Sequence, residues 1–190
     1  MPMSQHHLIV GGQRSGKSRQ AERLAQAWLK QSTDRSVTVV ATALAYDDEM
    51  RERIRRHQAD RPASMGTVEA PLHLAAALRE QAAPGRLLLV DCLTLWLTNW
   101  LMPMQGDADL AAWDAEREAL LSALPGLPSP VAFVSNEVGW GIVPMAREVR
   151  HFVDELGRLN QGVAQRCQQL TLMVAGQAWT RPVLPHEDGT

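Results

Sequence analysis

Cysteine is scarce in this chain. Only Cys92 and Cys167 are present, far apart and in no C-x-x-C pair. A disulfide framework is therefore not expected, and reduced thiols in a reducing compartment are. An excess of charge of either sign is also missing, since the net charge is -2. That excludes attachment to nucleic acid or to an acidic membrane through bulk charge. No apolar run approaches the ~18 residues of a membrane span. The start, Met1 to His7, is polar, and the apolar run Leu8-Ile9-Val10 stops at glycines. No signal peptide is expected, so the reading is a soluble, cytoplasmic protein. Internal repeats and low-complexity segments are absent too.

What is present is a good supply of core. With 190 residues, 45% of them hydrophobic, the chain suffices for one full domain and is short for two. We place that domain at 1–180, with a frayed Pro/His/Asp-rich tail at 181–190. Five short apolar runs read as strands: Leu8 to Val10, Val37 to Thr42, Leu87 to Val90, Val131 to Ser135 and Leu170 to Ala175. None alternates cleanly, which suits strands buried on both faces of a parallel sheet. Helical spacing falls between them: Ser18 to Leu29 (Ala21, Leu24, Ala25, Trp28), Asp47 to His57, Leu72 to Gln81, Leu110 to Leu124 capped by Asp109, and Ala146 to Gln169. Strand and helix alternation predicts an α/β sandwich with right-handed crossovers.

Gly11-Gly12-Gln13-Arg14-Ser15-Gly16-Lys17-Ser18 matches G-x-x-x-x-G-K-[ST] in full. A strand pattern enters it and a helix pattern leaves it, the context a P-loop needs. Glycines let successive backbone N–H groups turn toward a phosphate, and the helix start adds its positive dipole end. Lys17 would reach the β and γ phosphates, and the Ser18 hydroxyl would ligate Mg²⁺. Asp91 ends the run Leu87-Leu88-Leu89-Val90. It can be the metal-holding aspartate of a P-loop enzyme, or simply terminate a strand. No base-reading N-K-x-D is present, which speaks against a GTPase switch.

His57 lies in phase with Met50 and Ile54, among Arg53, Arg55, Arg56 and Arg61. A packed histidine on a solvated basic helix is one reading. The other is chemical: a neutral imidazole attacks phosphorus well at pH 7, and arginines would neutralise phosphate charge. The N–P bond so formed is labile, which suits an intermediate.

From Ile9 to Gly176 the sequence resembles the bifunctional adenosylcobinamide kinase / adenosylcobinamide-phosphate guanylyltransferase family of cobalamin biosynthesis. The resemblance rests on Gly11 to Ser18, Ala41-Thr42, Asp48-Glu49-Met50, Arg53-Ile54, His57, Arg61-Pro62 and Glu69. It continues through Asp91-Cys92-Leu93-Thr94, Asn99, Asn136-Glu137-Val138-Gly139-Trp140-Gly141-Ile142-Val143-Pro144 and Gly157-Arg158-Leu159-Asn160-Gln161. It implies phosphorylation of the aminopropanol hydroxyl of adenosylcobinamide by ATP or GTP. It further implies transfer of GMP from GTP through a guanylylated histidine, corresponding to His57, to give adenosylcobinamide-GDP. Catalysis would fall to His57 and Lys17. Nucleotide contacts would be Gly11, Gly12, Gln13, Arg14, Ser15, Gly16, Lys17, Ser18, Ala41, Thr42, Ala43, Gln58, Ala59, Asp60, Arg61, Glu69 and Asp91, with Mg²⁺ on Ser18 and Asp91. The implied fold is a RecA-like P-loop NTPase, a three-layer sandwich with a mostly parallel central sheet, and the implied assembly a homotrimer. Three departures stand out: Gln13 where a small residue is usual, Val153 where a polar one is, and no lysine after Gly176.

The segment Asn136 to Pro144 follows an apolar strand, at the end where α/β proteins bind ligands. Glu137 there could act as a base toward a substrate hydroxyl. Trp96 and Trp100 can share a helical face, and Trp140 could touch a flat, bulky ligand. Two rival readings remain: a P-loop small-molecule kinase with a structural His57, and a nucleotide-binding regulatory protein without turnover.

Overall fold

A seven-stranded sheet runs in the order β3-β2-β4-β5-β1-β6-β7. The strands are β1 (His7–Gly11), β2 (Ser36–Ala41), β3 (Met65–Glu69), β4 (Arg86–Asp91), β5 (Val131–Val134), β6 (Gln169–Val174) and β7 (Gln177–Pro182). All neighbours pair in parallel except β6 and β7. The helices are α1 (Lys17–Leu29), α2 (Leu74–Gln81), α3 (Leu93–Leu101), α4 (Leu110–Ala123) and α5 (Arg147–Ala164). This computed structural model describes residues 6–44, 52 and 65–184.

The near-continuous apolar strands are buried on both faces, as their patterns require. Ile9, Leu87, Leu89, Ala132 and Val134 face α1, where Ala21 and Ala25 let the helix approach closely. Leu8, Val10, Leu88, Val90, Val131 and Phe133 face the other way, onto α2 to α5. The result is the expected three-layer α/β sandwich. Asp109 caps α4 as read, its carboxylate accepting from Ala112 N at 3.0 Å.

Several elements differ from the sequence reading. α5 stops at Ala164, not Gln169, because the chain must turn to enter β6. Arg166 closes that end, donating to Gly162 O at 2.9 Å and Leu121 O at 2.7 Å. β3 and β7 lacked an apolar signal because they are outer strands: β7 is exposed throughout and only Met65 of β3 is buried. α3 is apolar nearly all round, so no stripe marked it; such a helix belongs in a core, and Leu93, Trp96 and Leu97 are fully buried. Trp96 stacks edge-on against Trp113 at 5.1 Å.

Two buried polar groups hold the layers. The His6 ring accepts from Val131 N at 3.1 Å, so its Nε2 carries the proton and donates to Leu124 O at 2.8 Å. Burial depresses its proton affinity below the ordinary histidine value, despite the help of the Leu124 carbonyl. The neighbouring His7 is depressed by burial as well. On α5, Glu155 is buried and accepts from Trp113 Nε1 at 2.9 Å and Arg117 Nη1 at 3.0 Å, with Arg158 on its other oxygen. Burial pushes its carboxyl up, but these donors and cations outweigh burial and hold it below the usual range.

Two outcomes follow. The unfolded chain takes up protons near pH 6.5 that folded His6 and His7 refuse, so stability rises with pH through the window below about 6.5. Urea unfolding at about pH 5.5 and about pH 7.5 should show the loss in acid, at most about 1.4 kcal/mol per pH unit for each group, and His6→Gln should remove the His6 share of it and leave that of His7. Glu155→Ala strands the Trp113 donor and leaves Arg117 uncompensated, and should cost about 3 kcal/mol in the same assay.

Candidate functional site

The loop between β1 and α1 is shaped by contacts that only small residues permit. A side chain at Gly11 would collide with Met173 O and come within 2.8 Å of Ser15 Oγ. Gly16 has φ 100, a conformation that glycine adopts without strain. Ser15 N donates to Gly12 O at 3.3 Å, and Lys17 Nζ donates to Gly12 O at 2.6 Å, closing the loop on itself. Lys17 opens α1, whose first turn has no acidic side chain and no side-chain cap. Its N-terminal N–H groups and dipole are therefore available to an anion. Behind the loop, β6 and β7 join through Ala175 and Gly176, both at positive φ. Gly176 N donates to Ser15 O at 3.0 Å, so this outer hairpin buttresses the phosphate loop.

Along the same edge, Glu69, Ala41 and Asp91 stand in register across β3, β2 and β4. Just beyond that row the fully buried Thr42 joins two strand ends. Its hydroxyl donates to Cys92 O at 2.7 Å and accepts from Cys92 N at 2.9 Å. Asn99 of α3 donates to Thr42 O at 2.7 Å and to Pro71 O at 2.8 Å. At Cys92 burial pushes the thiol up to about 11, Asp91 adds to this, and Lys17 among others opposes it; the net rise disfavours the reactive thiolate.

β5 lies between β1 and β4, so the segment leaving it sits between the phosphate loop and Asp91. Glu137 N donates to Gly11 O at 3.2 Å, and Asn136 N to Thr94 Oγ1 at 2.9 Å. Asn160 of α5 donates to Asn136 O at 3.0 Å and Glu137 Oε1 at 3.1 Å. Burial raises the Glu137 carboxyl above the usual carboxylate range, with the Asn160 bond opposing. Further along, Trp140, Ile142, Val143 and Met145 are exposed.

The edge thus brings together Gly11 to Ser18, Ala41 to Ala43, Glu69 and Asp91. His57, Gln58, Ala59, Asp60 and Arg61 lie outside the described residues, as does the helix read over Asp47 to His57 apart from Glu52, which is helical. Asn99, Thr94 and Asn160 were met only as motif residues, without roles. The available signal was a polar residue at a core-facing position of a helix, which must find partners once buried.

The loop suits a nucleoside triphosphate with Mg²⁺. Ser15 Oγ is buried and has no hydrogen-bond partner among the described residues, as a group awaiting a phosphate oxygen would be. No cluster of three or more His, Cys, Asp or Glu side chains that could hold a metal occurs among the described residues. Mg²⁺ fits such a sparse donor set, because it takes one or two hard oxygen ligands and completes its shell with phosphates and water.

Residues 7–180 match the family described as cobinamide kinase / cobinamide phosphate guanyltransferase, CobU. A bifunctional adenosylcobalamin biosynthesis protein CobP from Pseudomonas aeruginosa is 52% identical over 169 residues, 89% of this chain and 92% of that protein. The bifunctional CobU proteins of Escherichia coli and Salmonella typhimurium are 39% and 38% identical over 178 residues, 89% of this chain and 95% of each. In fold, the crystal structure of flagellar accessory protein FlaH from Methanocaldococcus jannaschii superposes with a TM-score of 0.51 at 14% identity. It covers 97% of this chain and 80% of FlaH, and at that identity it speaks for the RecA-like fold alone. With the family match spanning nearly the whole sequence, the chain belongs to the cobinamide kinase / cobinamide phosphate guanyltransferase family and is a transferase of cobalamin biosynthesis.

Proposed function

We propose that this chain carries out both family reactions at the carboxyl edge of its sheet. In the first, a nucleoside triphosphate, ATP or GTP, phosphorylates the aminopropanol hydroxyl of adenosylcobinamide. In the second, His57 attacks the α-phosphorus of GTP and pyrophosphate leaves. The phosphate of adenosylcobinamide phosphate then takes GMP from the histidine, giving adenosylcobinamide-GDP. The observation that carries this reading is the juxtaposition on one edge of a closed phosphate loop and the Asp91 carboxylate, one intervening strand apart.

The roles follow from the chemistry of each group. Backbone N–H groups from Gly11 to Ser18 hold the phosphates, and Lys17 leaves Gly12 O to meet the β and γ oxygens. Ser18 and Asp91 would hold Mg²⁺, which would supply neutralisation of the phosphate charge. Ala41 to Ala43, Gln58 to Arg61 and Glu69 contact the nucleotide. The exposed Trp140 offers a flat apolar surface to the corrin. We further propose a cytoplasmic homotrimer. Among the described residues no helix is long and apolar enough to cross a membrane.

Two measurements test this. Incubation with GTP labelled at the α-phosphate, with Mg²⁺ and no corrinoid, should leave label on the denatured protein that is lost in acid and kept in base. His57→Ala should abolish it. No label on folded, GTP-binding protein removes the guanylyltransferase half. Lys17→Ala should lower both labelling and phosphorylation by about 100-fold or more, the scale for losing one electrostatic contact to a transition state. Turnover within a few-fold of the unaltered protein would remove Lys17 from the phosphate site.

A further inference from the structure

Glu137 leaves β5 at the point between the phosphate loop and Asp91, one backbone hydrogen bond from Gly11. Among the described residues its carboxylate is held by one oxygen only. Asn160 grips Oε1 while also gripping the backbone at Asn136. No hydrogen bond to Oε2 and no ion pair to Glu137 occurs among the described residues. The contrast with Glu155 is instructive. That carboxylate is buried, braced by a tryptophan and flanked by two arginines, as a structural carboxylate should be. Glu137 is half-buried, fixed in direction and, among the described residues, without a cation.

We propose that Glu137 is the proton acceptor for the substrate alcohol in the kinase reaction and that Asn160 is its positioning residue; this rests on the kinase reading above. The alcohol oxygen attacks the γ-phosphorus, and the new O–P bond forms as the bond from that phosphorus to the bridging oxygen breaks. The nucleoside diphosphate leaves with the electron pair, and the alcohol proton passes to Glu137 Oε2. The protonated carboxyl gives its proton to water once the products depart. The partial burial that lifts the carboxyl above its ordinary range moves it toward the operating pH, where a general base works best. The GMP transfer has no such need, because a neutral imidazole and an ionised phosphate carry no proton that must be removed on attack.

The test compares the two half reactions in E137Q, with GTP binding and thermal melting measured alongside. Phosphorylation of adenosylcobinamide should fall by about 100-fold or more, while GMP transfer to already phosphorylated substrate falls by far less. Phosphorylation kept within about threefold, well short of a lost general base, overturns the proposal. So does an equal loss of both half reactions in a variant that still binds GTP. If the unaltered protein does not phosphorylate adenosylcobinamide at all, the kinase reading itself fails and takes this one with it. Asn160→Ala gives a second reading should E137Q not fold. Loss of the Asn160 donor raises the Glu137 carboxyl further, so the acid limb of the phosphorylation pH profile moves to higher pH. An unmoved limb overturns the positioning role and, with it, the assignment of Glu137.

Discussion

Parallel pairing obliges the chain to cross a face of the sheet between one strand and the next, and every crossover leaves from the same edge. Six neighbouring strands of this sheet obey that constraint, from β3 through β6. The phosphate loop, the Ala41–Glu69–Asp91 row and the Glu137 segment are all exits from that edge. Their chemistry is gathered by topology and not by sequence proximity, and this is the general placement of ligands in open α/β sheets.

The strand order adds a finer consequence. With β5 between β1 and β4, about 10 Å separates the phosphate loop from Asp91, two strand spacings. The residues that leave β5 occupy that interval. Their backbone is fixed on both sides, by Gly11 O and by Thr94 Oγ1, so the Glu137 carboxylate emerges from a rigid mount.

Much of this was legible beforehand. The central strands announced themselves as apolar runs because both faces are covered, and the phosphate loop because its glycines answer to a steric demand. Asp91 was placed at a strand end, and the end is where it stands. Less visible were β3 and β7, which bury little and so carry no hydrophobic signature, and α3, which buries too much to show a stripe. The turn Ala175-Gly176 lacks the Asn-Gly or Asp-Gly pair that marks a tight hairpin, so the strand after it went unread. The positioning amides were hardest. Asn99 looks like an interruption in an apolar helix, and Asn160 in the apolar stripe of an amphipathic one, until the carbonyls they serve are in place. His57 came from its arginine-rich surroundings and from resemblance, and it lies outside the residues described.

Asn99 spends its amide on two carbonyls, Thr42 and Pro71, that flank the segment carrying His57. The strands leading out to that segment and back from it, β2 and β3, are hydrogen-bonded neighbours, and Ala41 faces Glu69 at their ends. The chain leaves β2 at the edge that holds the phosphate loop and re-enters the sheet at Met65, level with Val37 at the far end of the pair. The entropy of closing such an excursion grows only slowly with its length. A side chain on it behaves toward the site as a tethered reagent does, and its reach is governed by effective concentration in place of bulk concentration. The two bonds of one asparagine thus tie the departure from β2 to the chain just beyond β3, at the edge where the phosphate loop and Asp91 lie.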